Sequence, residues 1–280
     1  MTAIYSLSTL PHYSRNTHTS DFKLDKFELY TAAISSLVCR RNGVTTHMHC
    51  DTGGEAYFRR IGLAALWDNL TITIPDDLDG IDPLMFWAAG KLFALRETSA
   101  PLMMLDTDFI AWELPSTENA DVIAAHREDL APHIYPDISS FNMNEGYAFP
   151  NYDYHTLRTF PLNTAFLYIR DEAFKQRYVA KSLEFMKAAQ RGGNTLTYMV
   201  YAEQRLLALM CESVKIRVGT LLEYGKPFHE QNKYTHTWGA KRVMRENPRE
   251  LERFCEKCRV RIRNDFPEWE YIINCIEEGS

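Results

Sequence analysis

The hydrophobic pattern of the chain alternates between two periods, and the changes of period mark its elements. Short β-branched or apolar runs read as strands at Ala3–Ser8, Val44–Cys50, Leu70–Ile74, Pro101–Leu105, Asp121–Ala125 and Pro161–Asp171. Stretches with apolar residues three and four apart read as helices. The first, Asp21–Arg41, lines up Phe22, Leu24, Phe27, Leu29, Ile34, Leu37 and Val38 and stops at Asn42-Gly43. Further helices are predicted over Glu55–Ala65, Pro83–Arg96, Glu172–Gln190 behind an Asp171 cap, and Leu196–Cys211. Val214–Val218 with Leu221-Leu222 reads as a last strand, and from Asn247 the chain is charged and helical. Strands separated by helix-length connections are the rhythm of a right-handed α/β sheet. The predicted fold is therefore α/β: a mostly parallel central sheet flanked by helices, one domain over 1–245 with a C-terminal helical extension over 246–280.

One stretch organises the rest. Pro101-Leu-Met-Met-Leu-Asp106-Thr107-Asp108-Phe-Ile-Ala-Trp112 is an apolar run that ends in two carboxylates one residue apart and then turns apolar again. The run has the character of a buried strand. Open α/β sheets bind ligands at the carboxyl ends of their strands, and two aspartates there can hold one hard divalent cation that grips phosphate oxygens. The plain alternative is a strand exit with two solvated carboxylates. No Gly-x-Gly-x-x-Gly and no Gly-Lys-Ser/Thr occurs. A phosphate grip therefore has to come from something other than a glycine-rich loop.

Other candidate residues each carry two readings. Ser6 and Ser8, leaving the first strand, suit contacts to a nucleotide and are equally common turn residues. Asp51, before Gly53-Gly54, is either a ribose or base contact or the N-cap of the following helix. His47 and His49 share a strand face but lack a third ligand, which favours histidines of the core or edge. Lys91 reaches a phosphate or snorkels at the surface. Asp76, Asp77, Asp79 and Asp82 lack the glutamate of a calcium loop. The irregular stretch from Arg127 to Tyr154, rich in Pro, Asn, Tyr and Asp, is long enough to be functional or to cover the sheet. Glu203-Gln204 sits among apolar residues, so that Glu203 faces a cavity or is satisfied by Arg205. Tyr234–Arg242 brings together an imidazole, an indole, a glycine and two cations.

Composition narrows the classes. The 280 residues are 45% hydrophobic and 24% charged, with net charge -6 and a pI near 5.9, which argues against nucleic acid as a partner. The six cysteines are scattered, as expected of reduced thiols in a cytoplasmic protein, and Cys255/Cys258 lack a second ligand pair for zinc. No apolar run approaches the ~20 residues of a membrane span. The late Arg and Lys run reads as a solvated face that tolerates a membrane surface, so peripheral association at the inner face of a membrane is the alternative location.

Four blocks together resemble the metal-dependent glycosyltransferases of GT-A fold, with their DXD motif, and in particular the bacterial capsule and polysaccharide type. They are Pro101–Asp108, Phe160-Pro-Leu-Asn163-Thr-Ala-Phe-Leu-Tyr-Ile-Arg170, Glu203-Gln204 and His236-x-Trp238-Gly239-x-Lys241. A weaker block, His49-Cys50-Asp51-Thr-Gly53, is similar to the nucleotide-binding, Rossmann-like half, with Cys50 a departure. The blocks span most of residues 1–245. The resemblance implies that Asp106, Asp108 and His236 coordinate Mn²⁺ or Mg²⁺ on the diphosphate of a nucleotide sugar, a UDP-sugar foremost. Imidazole tilts that choice towards Mn²⁺. Ser6, Ser8, Asp51, Lys91, Thr107 and Lys241 would contact the donor. Asn163 and Glu203 or Gln204 would line the sugar sites, with Glu203 the candidate base or the group that stabilises an oxocarbenium-like transition state. The acceptor would be a saccharide or glycolipid. The competing expectations are a sugar nucleotidyltransferase, disfavoured because Ser6-Leu-Ser-Thr-Leu-Pro is not a Gly- and Lys/Arg-rich loop, and a non-catalytic carbohydrate-binding protein on the same fold.

Overall fold

The computed structural model describes residues 1–16, 21–154, 159–226 and 232–279. In chain order the elements are β1 (Thr2–Leu7), α1 (Leu10–Arg15), α2 (Lys26–Arg41), β2 (Thr45–Cys50), α3 (Thr52–Arg60), β3 (Asn69–Ile72) and α4 (Gly90–Glu97). Next come β4 (Leu102–Leu105), β5 (Phe109–Ala111), β6 (Val122–Arg127), β7 (Leu162–Ile169) and α5 (Glu172–Ala188). They are followed by α6 (Thr195–Val200), a π-helical turn (Tyr201–Arg205), α7 (Leu206–Ser213), β8 (Val218–Thr220) and β9 (Tyr234–His236). The chain closes with α8 (Lys241–Glu246), α9 (Pro248–Asp265) and α10 (Ile272–Gly279).

Seven strands form the central sheet in the order β3-β2-β1-β4-β7-β6-β8, and β5 pairs with β9 in a separate ribbon. Only β7 opposes its neighbours; the other central pairings are parallel. The expectation of a mostly parallel α/β sheet with flanking helices is met. Apolar runs without alternation follow from burial on both faces. Along β4, Met103 and Leu105 face the layer of α2, α3, α9 and α10, while Leu102 and Met104 face that of α4 to α7. In β1, Ile4 points the opposite way from Ala3 and Tyr5.

Several boundaries move for local reasons. Asp21–Arg41 shortens to α2 because Asp25 and Glu28 form a capping box at its start. Pro83–Arg96 is helical only from Gly90; ahead of it Asp82 turns the chain, its side chain accepting from the Leu84 N–H. The last strand contracts to Val218–Thr220, where β6 offers a free edge. The predicted helix Leu196–Cys211 is interrupted by the π turn, which frees carbonyls. Hydroxyls from α5 take them up: Tyr178 donates to the Glu203 carbonyl at 2.7 Å and Ser182 to that of Ala202 at 2.8 Å. The C-terminal helices pack on the main body. Glu277 accepts from Lys26, Tyr30 and Arg259, and Cys255, Cys258 and Ile262 lie in the same core as α2. Ser280 lies outside the described residues.

Candidate active site

The first four strands run β3-β2-β1-β4, which places a reversal of strand order between β1 and β4, the position at which open α/β sheets bind ligands. A cavity of ≈ 440 Å³ opens at their carboxyl ends. Ser6 and Ser8 enter it from β1, Asp106, Thr107 and Asp108 from the end of β4, and Asn163 from the start of β7. Glu203 and Gln204 come from the π turn, Lys91 from the first turn of α4, and His236 and Lys241 from the late segment. All the residues expected at a donor site are therefore gathered here except Asp51.

Asp51 is the cap of α3. Its Oδ1 accepts from the Gly54 N–H, and its Oδ2 from the Thr9 N–H and from the hydroxyls of Ser8 and Thr9. It is buried and lies outside the cavity lining. Gly53 is what allows this approach, since a Cβ there would stand 2.5 Å from Thr9 Oγ1. Of the two roles open to Asp51, the structure has the cap, and Ser8 spends a hydroxyl bond on it. His47 and His49 stack on each other and bond to Thr71, Thr73 and Thr98, so they are structural. Cys255 and Cys258 are buried thiols on α9.

The β5–β9 ribbon builds the acidic centre. Its register sets His236 opposite Phe109, and the Thr237 N–H donates to the Asp108 carbonyl at 3.1 Å. Trp112 Nε1 pins the far end by donating to Thr235 Oγ1 at 2.8 Å. Asp106, Asp108 and His236 thereby present ligand atoms that all lie within 4.8 Å of one another. On one side Lys241 Nζ is 3.0 Å from Asp108 Oδ2; on the other, Lys91 Nζ lies 2.5 Å from Asp106 Oδ1 and 2.6 Å from Glu203 Oε1.

Lys91 is thus a bridge between two carboxylates instead of an unengaged phosphate ligand or a snorkelling surface lysine. Glu203 is satisfied by Lys91 and by the Thr164 hydroxyl at 2.5 Å, not by Arg205, whose guanidinium donates to the Thr159 carbonyl. Gln204 accepts from the Tyr135 hydroxyl at 2.7 Å. Asn163 donates to Glu128 Oε1 at 2.7 Å and accepts from the Ala165 N–H. Glu128 and Tyr135, both lining the cavity, were not singled out in the sequence. Their one signal is membership of the long irregular stretch after β6.

Electrostatically the centre carries an excess of negative charge. Burial pushes Asp106 up to about 6, with Asp108 and Glu203 adding to the rise and Lys91 opposing it. Burial acts the same way on Asp108, but Lys241 and His236 outweigh it and leave this carboxyl below its ordinary value. Burial lowers His236 to about 4, partly offset by Asp108, so its imidazole is neutral at pH 7 with a lone pair to offer. Burial also works against the charge of Lys91, yet Asp106 and Glu203 more than compensate and hold it protonated.

The structure thus defines an α/β protein with a carboxylate–imidazole centre in the cleft at the switch point of its sheet. Residues 1–275 match the model of a family of unknown function, DUF6734, and the chain belongs to that family. No curated protein matches it. Among the described residues no helix is long and apolar enough to cross a membrane.

Proposed function

We propose that this protein is a glycosyltransferase of GT-A type, moving a sugar from a nucleoside-diphosphate donor, a UDP-sugar foremost, to a saccharide or glycolipid acceptor. The observation that carries the reading is the juxtaposition of Asp106, Asp108 and neutral His236 at the switch point, with the Asp106 carboxyl pushed up towards neutrality. Two carboxylate oxygens and one imidazole nitrogen form a donor set that fits Mn²⁺ or Mg²⁺, and a cation there would relieve the charge that resists ionisation of Asp106. Bound, such an ion supplies Lewis-acid neutralisation of the charge growing on a departing diphosphate.

The remaining roles belong to the chain. Lys241, 30% exposed at the cavity wall, adds a second positive charge for the phosphates. The hydroxyl of Ser6 and the first turn of α4, at Gly90 and Lys91, border the side where the nucleotide would enter. Trp238 and Leu196, both exposed at the cavity wall, offer apolar area to a sugar. Lys91 holds Asp106 and Glu203 in place and is not a phosphate ligand in this reading. The acidic net charge fits a small-molecule donor and no nucleic-acid partner.

Thermal melting with UDP or GDP, each with and without Mn²⁺, tests the reading. At a hundredfold excess over Kd a specific ligand adds about 2.7 kcal/mol. In a chain of this size that is a rise of about 5–10 °C in Tm. Stabilisation by nucleoside diphosphate that requires the metal supports the proposal. A melt that no combination moves would sink it in favour of a scaffold.

A further inference from the structure

The sequence offers Glu203 as the base of a transfer reaction, but the geometry points to Glu128. We infer that the Glu128 carboxylate is the general base that takes the proton from the acceptor hydroxyl, and that transfer therefore inverts the anomeric centre. The inference rests on the glycosyltransferase reading above and assigns a step within it.

Position is the first argument. At the edge of the sheet that opens to the cavity, the carboxyl ends of β1, β4 and β6 and the amino end of the antiparallel β7 lie in the order β1, β4, β7, β6. Ser6 lies on β1, Asp106 and Asp108 follow β4, Asn163 and Thr164 lie on β7, and Glu128 follows β6, where its N–H donates to the Pro161 carbonyl. Glu128 stands two strands across from the carboxylates of β4, ~4.8 Å per strand, and the register sets it level with Pro161 where Asp106 is level with Ala165. A donor whose diphosphate is held at β4 has its anomeric carbon beyond the distal phosphate. The incoming oxygen stands ~3 Å further on, and a base must be within about 2.6–3.2 Å of that oxygen. The whole chain of atoms needs roughly 8–10 Å between phosphate-gripping groups and base. The Glu128 carboxylate reaches back across this offset to Asn163, beside Ala165, and lines the same cavity as Asp106 and Asp108 with room for that chain of atoms between them.

Glu203 does not. Its Oε1 and Asp106 Oδ1 sit on the same ammonium, which keeps the two oxygens within about 5 Å of each other. Too little room is left between them for a phosphate, an anomeric carbon and an incoming oxygen. Glu203 Oε1 is also taken by both Lys91 and Thr164.

Presentation is the second argument. Asn163 donates to Glu128 Oε1 at 2.7 Å and is itself fixed by the Ala165 N–H, so the carboxylate has a defined orientation. Among the described residues no hydrogen bond is made to Oε2. Glu128 is only part-buried and lines the cavity, so a water or sugar hydroxyl can reach that oxygen. Asn163 is accordingly a positioning residue. In the step itself, Glu128 Oε2 accepts the proton of the acceptor O–H, and the oxygen's electron pair forms the new bond to the anomeric carbon. The bond from that carbon to the phosphate oxygen breaks, and the nucleoside diphosphate leaves with its electron pair. Among the described residues no further carboxylate of the cavity lining is left for covalent capture of the sugar, so a single displacement assisted by Glu128 inverts the configuration.

The test uses the full chain with Mn²⁺ and whichever UDP- or GDP-sugar of a panel it hydrolyses, water serving as acceptor. NMR at early times should show the released sugar in the anomeric form opposite to that of the donor. Glu128→Gln and Glu128→Ala should lower turnover by about 10²–10⁴-fold. Metal-dependent binding of the nucleoside diphosphate, read by calorimetry, should stay within threefold of wild type. Azide is an anion that needs no deprotonation, so it should restore turnover of Glu128→Ala as the glycosyl azide, whereas Glu203→Gln should show no such rescue. Retained configuration, turnover of Glu128→Gln within threefold of wild type, or failure of azide to rescue a Glu128→Ala protein that still binds nucleotide would each overturn the assignment. If wild type itself neither binds a nucleoside diphosphate with metal nor hydrolyses any donor, the glycosyltransferase reading falls, and Glu128 as base falls with it.

Discussion

Replacing Lys91 by methionine keeps most of the side-chain volume and removes one charge from a place where three carboxylates converge. In the wild type Lys91 Nζ lies 2.5 Å from Asp106 and 2.6 Å from Glu203, with side chains only 13%, 24% and 6% exposed respectively. Breaking a buried pair by removing one partner costs about 3–5 kcal/mol, because the other charge remains unpaired in a low dielectric. Here two carboxylates are orphaned at once, and Asp106 is already pushed up to about 6 with Lys91 present. The cost should therefore lie in that range at pH 8 in EDTA, a fall in Tm of roughly 6–20 °C for a chain of this size. It should shrink at pH 5, where Asp106 in the variant takes up a proton. Adding Glu203→Gln to Lys91→Met should recover part of the loss, and the double-mutant cycle should give a coupling above 1 kcal/mol. Mn²⁺ should stabilise Lys91→Met more than wild type, since it returns positive charge to Asp106. A Lys91→Met protein within about 1 kcal/mol of wild type at pH 8, or a cycle with no coupling, would refute the account of the site as a charge cluster held by lysine.

Other expectations follow from the same geometry. Asp108→Ala should abolish Mn²⁺-dependent stabilisation by nucleoside diphosphate and sugar transfer with it; transfer at wild-type rate would remove the metal assignment. In EDTA two titrations oppose each other. Asp106, raised in the folded state, stabilises below about pH 4 and loses this by pH 6, while His236, lowered to about 4, stabilises above pH 6.5 and loses this as pH falls through 4. Each contributes about 3 kcal/mol. Melts of Asp106→Asn should therefore gain stability from pH 4 to 6.5 and those of His236→Gln should lose it, and parallel profiles for the two variants would contradict the shifts. Tyr178→Phe leaves the Glu203 carbonyl in the π turn without its hydroxyl donor, which should cost about 1–3 kcal/mol in chemical denaturation. An unchanged midpoint would mean that the freed carbonyl finds another partner.

What depends on neighbours along the chain was legible in the residues alone. The apolar run before Asp106 reads as a doubly buried strand, which β4 is, with the two carboxylates emerging at its end. Asp171 ahead of Glu172 and Asn42-Gly43 after Arg41 fixed helix ends through caps that need only local backbone groups. The resemblance of the blocks to glycosyltransferases pointed to His236, Asn163 and Glu203, and all three line the cavity. Four features were set by the tertiary fold, because each depends on a register or approach between distant segments. The β5–β9 pairing sets His236 beside Asp108, and a slip of one residue would turn the imidazole to the other face. The reach of Lys91 from α4 to the end of β4 and to the π turn made it a bridge between Asp106 and Glu203, although as a sequence element it read as a phosphate ligand or a surface lysine. The close contact of Thr9 with Gly53 made Asp51 a cap and removed it from the cavity. Glu128 is the clearest case: nothing near it in the chain distinguishes it, and only the lateral order of strands puts its carboxylate across the cavity from Asp106 and Asp108. Local chemistry wrote the carboxylates of β4 into the sequence, and long-range pairing chose what faces them.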